Sequence, residues 1–123
     1  MTDIRSALLR TADWLEANRD NHITGQFACD AEGREVLPDS SDATCFCALG
    51  RLFVEAGMSC DDYDSAWLGL DDVLEPLNTD TTQVYDLNDS YDEKFNESLK
   101  FKHRAHFRGN PAVITYLREL ANA

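Results

Sequence analysis

The segment from Ala43 to Ala56 constrains this chain more than any other, because a helix laid over it is apolar on two sides. At about 100° per residue, Cys45, Leu49, Leu52, Phe53 and Ala56 fall on one arc, with Phe46 and Ala48 on its edges. Cys47, Gly50 and Val54 occupy the far side. Such a helix has to be sandwiched between other elements, and Gly50 lets a neighbouring backbone come close. Pro38 and the polar run Asp39 to Asp42 supply its approach and N-cap, and Gly57 stops it as a C′ residue. This helix is expected to be the centre of the fold.

The rest of the chain reads as elements packed around it. Ile4, Leu8, Ala12 and Leu15, reinforced by Leu9, predict an amphipathic helix over Thr2 to Ala17. Two β-compatible runs, Thr24 to Cys29 and Arg34 to Leu37, flank Asp30-Ala31-Glu32-Gly33 and predict a hairpin. Tyr63, Ala66, Trp67, Leu70 and Leu74 predict a third helix from about Asp61, ended by Pro76. Asn78 to Ser90 is polar and irregular in pattern, and Asp92 to Phe101 reads as a weaker helix. Asn110-Pro111, cap followed by N1 proline, opens a last helix carrying Val113, Ile114, Leu117 and Leu120. With 123 residues, 43% of them hydrophobic, the chain has material for one core without staples. The expected fold is mainly α (α+β): a single compact domain over 1–123, with four or five helices and a small β-hairpin.

At Cys45-Phe46-Cys47-Ala48-Leu49-Gly50-Arg51-Leu52 the chain resembles an uncharacterised family of small bacterial and phage proteins, marked by an aromatic residue followed by C-A-L-G at a helix head. Upstream, members share a G-x-(aromatic)-A-x-D-x-x-G stretch, here Gly25 to Gly33. Where they carry a W-N-D triplet, this chain has Leu87-Asn88-Asp89, and Tyr91 to Asn110 reads as an insertion. The resemblance spans about two thirds of the chain. It implies a bacterial or phage intracellular protein and carries no reaction with it.

Charge excludes some functions. The net charge is −12, and residues 61–97 hold twelve acids against one base, Lys94. Ser98 to Arg108 then holds Lys100, Lys102, Arg104 and Arg108 with His103 and His106, and no acid. Direct binding of nucleic acid over most of the surface is disfavoured by like-charge repulsion. No apolar run reaches the ~20 residues a membrane span needs, and Asp3, Arg5 and Arg10 interrupt any signal-peptide core. A cytoplasmic location and no membrane partner are therefore expected. Cys29, Cys45, Cys47 and Cys60 read as free thiols, since zinc knuckles favour C-x-x-C and the only close pair here is C-x-C.

Three chemistries remain. The first is an interaction module whose carboxylates Asp61, Asp62, Asp64, Asp71 and Asp72 engage a basic partner protein, in the manner of nucleic-acid mimics used in phage counter-defence. The second is a cysteine nucleophile: a thiol near a helix N-terminus has its thiolate stabilised. Cys47 would act with His103 or His106 as base and Asp89 as orienter; His22, Asn88 and Asp86 offer the same functions. The third is calcium, because Asp86, Asn88, Ser90, Asp92 and Glu97 follow an EF-hand-like ligand spacing, although Tyr91 stands where a sharp turn wants glycine. No cofactor is expected. The interaction module is the preferred reading.

Overall fold

The computed structural model describes residues 3–90 and 109–123. The predicted helix at Asp92 to Phe101, with His103 and His106, lies outside them. Among the described residues the protein is mainly α, with five helices and one two-stranded antiparallel pair.

Helix α1 (Ile4–Ala17) is N-capped by Asp3, whose carboxylate accepts from Arg5 N at 3.4 Å. It buries Ala7, Leu8, Thr11, Ala12 and Leu15. Thr11 is tolerated inside because its hydroxyl donates to the Ala7 carbonyl at 2.8 Å. Leu9, expected to reinforce the inner stripe, lies on the exposed side.

The turn predicted at Asp30 to Gly33 forms. Asp30 N donates to Arg34 O at 2.9 Å, and the Asp30 carboxylate accepts from Glu32 N and Arg34 N at 3.0 and 2.9 Å. Gly33 adopts φ 84°, a conformation that favours glycine. The arms differ from expectation. Strand β1 (Ala28–Cys29) pairs with β2 (Cys45–Phe46), in the register Ala28 to Phe46 and Cys29 to Cys45. The predicted arm Arg34 to Leu37 makes only a single bridge, Cys29 to Glu35, and a bond from Val36 N to Ala28 O at 3.2 Å. Pro38 then removes the next donor.

Residues 45–46 are drawn into the ladder because Cys47 N donates to the Phe27 carbonyl at 3.1 Å. That carbonyl can reach α2 only because Gly50 lacks a Cβ, which would stand 2.0 Å from the Phe27 oxygen. The close approach expected at Gly50 is therefore real. In consequence α2 (Ala48–Glu55) starts five residues later than the predicted Ala43, and Cys45 belongs to a strand rather than to the helix's first turn. Its end matches: Gly57 N donates to Val54 O and Met58 N to Phe53 O, both at 3.0 Å, the paired bonds of a Schellman stop.

Helix α2 is the centre that the sequence implies. Ala48, Leu49, Gly50, Leu52 and Phe53 are buried, and α1 and α4 pack against it. Helix α3 (Tyr63–Leu74) buries Ala66, Leu70 and Leu74 and gives way to a 3-10 turn containing Pro76. The irregular reading of Asn78 to Ser90 is corrected: Thr81–Asp89 is helix α4, capped by Asp80, whose carboxylate accepts from Gln83 N at 2.8 Å. Its inward face is only Thr81, Val84 and Asn88, too polar to register as an apolar stripe. Helix α5 (Ala112–Ala121) follows Asn110, whose side chain accepts from Ala112 N at 3.0 Å, and it packs along α1. Phe27 joins the layers, its ring 5.9 Å from Phe53, 4.7 Å from Tyr63 and 6.1 Å from Tyr85.

Candidate functional site

Two places gather chemically capable side chains. One is buried, where the N-terminus of α2 meets the C-terminus of α4. Asn88 is fully buried there, and its amide is completely used. Oδ1 accepts from Ala48 N at 2.9 Å and from the His22 ring nitrogen Nε2 at 2.5 Å; Nδ2 donates to the Ile23 carbonyl at 3.1 Å and to Asp89 Oδ1 at 2.8 Å. A backbone donor on one side and a backbone acceptor on the other fix which way the amide points. The His22 proton must then sit on Nε2. Gly109 completes the enclosure, since a Cβ on it would lie 2.0 Å from that nitrogen.

Cys47 caps α2 at this junction, its sulfur accepting from Gly50 N at 3.2 Å. The sequence places the thiol where a helix terminus should activate it. Burial does the opposite: Cys47 is 1% exposed, and its thiol is pushed up to about 12 despite the Gly50 amide. The nearby Asp89 carboxylate adds to that rise. His22 is held below its ordinary value, again chiefly by burial. The structure thus brings His22, Cys47, Asn88 and Asp89 into one neighbourhood, but burial holds the His22 and Cys47 side chains toward their neutral forms. His22, the histidine not preferred in the sequence reading, is the one found here.

The calcium spacing meets a helix instead of a loop. Asp86 and Asn88 both lie in α4, where two residues subtend about 200° and do not converge. The Asn88 amide is spent, and the Ser90 hydroxyl donates to the Asp86 carbonyl at 2.8 Å. Asp92 and Glu97 lie outside the described residues. Among the described residues no three His, Cys, Asp or Glu side chains stand where they could hold a metal ion.

The second place is the outer surface of α3 and α4. Of its five predicted binding carboxylates, two have structural work. Asp62 caps α3, accepting from Asp64 N and Ser65 N at 3.1 and 3.3 Å, and the Ser65 hydroxyl holds its carboxyl below the usual range. Asp71 is half-buried and caps α4 from across the turn, accepting from Thr81 N at 2.7 Å and from the Thr81 hydroxyl. Asp61, Asp64 and Asp72 are exposed. Leu68 lies four residues from both Asp64 and Asp72 and is 65% exposed, an apolar side chain between carboxylates that helical periodicity does not single out.

The Gly25 to Gly33 stretch and the C-A-L-G run have physical roles in the fold. Gly25 and Gly33 both have positive φ, Phe27 is a core hub and Asp30 closes the turn. In the C-A-L-G run, Cys47 caps the helix, Ala48 and Leu49 are buried, and Gly50 admits the Phe27 carbonyl. Comparison with family models, with curated proteins and with solved structures gives no match for the chain.

Proposed function

We propose that this protein is a non-enzymatic interaction module that engages a basic partner protein through the outer surface of α3 and α4. The observation that carries the reading is charge segregation: residues 61–90 hold nine carboxylates and no Lys or Arg. Every ion pair among the described residues lies elsewhere. Arg10 and Arg51 pair with Glu55, Arg34 with Asp30 and Glu32, and Arg118 with Asp13 and Glu16. Within residues 61–90, Asp61, Asp64, Asp72, Glu75 and Asp86 face outward, with exposed Leu68 as an apolar contact between Asp64 and Asp72. A partner surface built to hold a phosphate backbone, rich in Lys and Arg, complements that arrangement. The sealed state of Cys47 lends no support to nucleophilic catalysis.

The test is affinity capture of partners from the host lysate at low and at high salt, using wild type, the triple variant Asp61→Lys, Asp64→Lys, Asp72→Lys, and Cys47→Ser. Asp62 and Asp71 are left intact because they cap helices. The expected result is a basic protein retained at low salt by wild type and by Cys47→Ser, released at high salt, and lost with the triple variant. Capture indifferent to salt and to charge reversal would overturn the proposal.

A further inference from the structure

We propose that Cys29 and Cys45 form a reversible redox pair, closing to a disulfide after the half-buried Cys45 attacks a small oxidised thiol such as glutathione disulfide. The two residues are directly opposed in the β1–β2 register, and all four cysteines are free thiols. Directly opposed residues of an antiparallel pair hold their Cβ atoms about 4.5–5.5 Å apart, and a disulfide wants about 3.5–4.5 Å. The strands therefore need to approach by about 1 Å at most. Main-chain bonds on either side, Thr44 N to Cys29 O at 2.9 Å and Cys47 N to Phe27 O at 3.1 Å, hold the register against slippage.

The other two thiols are tied to their own backbone. The Cys47 sulfur accepts from Gly50 N, and the Cys60 thiol donates to the Met58 carbonyl at 3.8 Å. Cys45 differs from all three in being only half-buried. Its sulfur is 3.7 Å from the hydroxyl of Thr44, a residue lining an open depression of about 360 Å³ with Asp30, Arg34, Ser41 and Asp42. Cys45, half-buried and next to Thr44 at the wall of that depression, is therefore the thiol a small disulfide meets first, whereas Cys47 is buried.

The chemistry proceeds in two exchanges. The Cys45 thiolate attacks one sulfur of glutathione disulfide, breaking its S–S bond, forming a Cys45–glutathione mixed disulfide and releasing one glutathione. Cys29 then loses its proton and attacks the Cys45 sulfur, forming the Cys29–Cys45 bond and displacing the second glutathione. The protein gives up two electrons and two protons, and glutathione disulfide takes up both. Before the first exchange Cys29 is held up to about 12 by burial first and by the adjoining Cys45 thiol next. Once Cys45 is a neutral mixed disulfide, the charge contribution from that neighbour disappears.

The experiment exposes the folded protein to glutathione disulfide, quenches in acid, alkylates under denaturing conditions and maps the products by mass. Because tryptic peptide 35–51 contains both Cys45 and Cys47, the mapping uses the Cys47→Ser background, where it joins peptide 20–34 through one bond. Wild type is expected to fall from four titratable thiols to two and to recover all four with dithiothreitol. Cys29→Ser should stop with one glutathione on Cys45, and Cys45→Ser should keep its remaining thiols reduced. Four thiols persisting in wild type, cross-links to Cys60, or a wild-type product that stays glutathionylated without closing would each overturn the proposal. Far-ultraviolet circular dichroism confirms that the variants are folded, and either serine variant alone decides the pairing.

Discussion

Asn88 illustrates how much one buried amide can control. Its four hydrogen bonds use every donor and acceptor the side chain has, so none of the groups around it is left bare. Asn88→Ala would strand the Ala48 N–H, the Ile23 carbonyl and the His22 N–H. Each costs about 1–3 kcal/mol when unpaired and buried, and urea unfolding should show a loss of about 3 kcal/mol or more. His22 gives a pH signature at the same place. Its pKa is lowered in the folded protein from the ordinary 6.5, so around that pH the unfolded chain binds more protons than the folded one. The contribution is fully present above about pH 6.5 and shrinks as the pH falls below it. Wild type should lose stability between about pH 7 and pH 5 more steeply than His22→Gln, whose amide can still donate to Asn88 without taking up a proton. Equal slopes would show that His22 does not couple to folding.

At the scale of elements, the β1–β2 pair and the start of α2 depend on one missing methyl group. Gly50→Ala would drive a Cβ against the Phe27 carbonyl, which is backbone and cannot swing aside. The expected cost is about 2–4 kcal/mol, within the range of core overpacking, read as a fall in the urea midpoint; a variant as stable as wild type would mean that the strand can retreat. The helices were largely legible in the sequence because their inner faces repeat at helical spacing, as Leu8, Ala12 and Leu15 do in α1 and Val113, Leu117 and Leu120 do in α5. Gly50 announced its close neighbour, though not that the neighbour was Phe27. The second strand was not legible: Cys45 and Phe46 fit the helical arc as well as they fit a ladder, and the decision rests with a hydrogen bond from Cys47 to a residue twenty positions away. Helix α4 was hidden because its inward face carries Thr81 and Asn88, so its polarity looked like a loop. The candidate site suffered most from this. The Asp86 and Asn88 spacing suggested ligands, whereas Asn88 serves as an internal fastener whose partners come from distant turns.

For the whole molecule, a net charge of −12 and a carboxylate-only stretch from 61 to 90 set up self-repulsion in the compact state. Screening should relieve it. The melting temperature is expected to rise as ionic strength goes from about 0.01 M to about 0.15 M, over which the Debye length falls from about 30 to about 8 Å. The triple lysine variant at Asp61, Asp64 and Asp72 should show a smaller rise, measured by the same thermal scan. A melting temperature that ignores salt would place the carboxylates too far apart to feel one another. The thiols offer a second global readout: burial raises Cys29 and Cys47 to about 12 and Cys60 to about 11, so a neutral-pH thiol reagent should label these three only after denaturation. Finally, the amide that anchors Ala48, Ile23 and His22 belongs to α4, while the backbone carbonyl of the same Asn88 receives Asn110 N at 2.9 Å ahead of α5. Early, middle and late parts of the chain meet at one residue, so none of them can fray there alone. The Ala48 amide proton should trade for deuterium only when the entire protein opens, making it a clock for global unfolding.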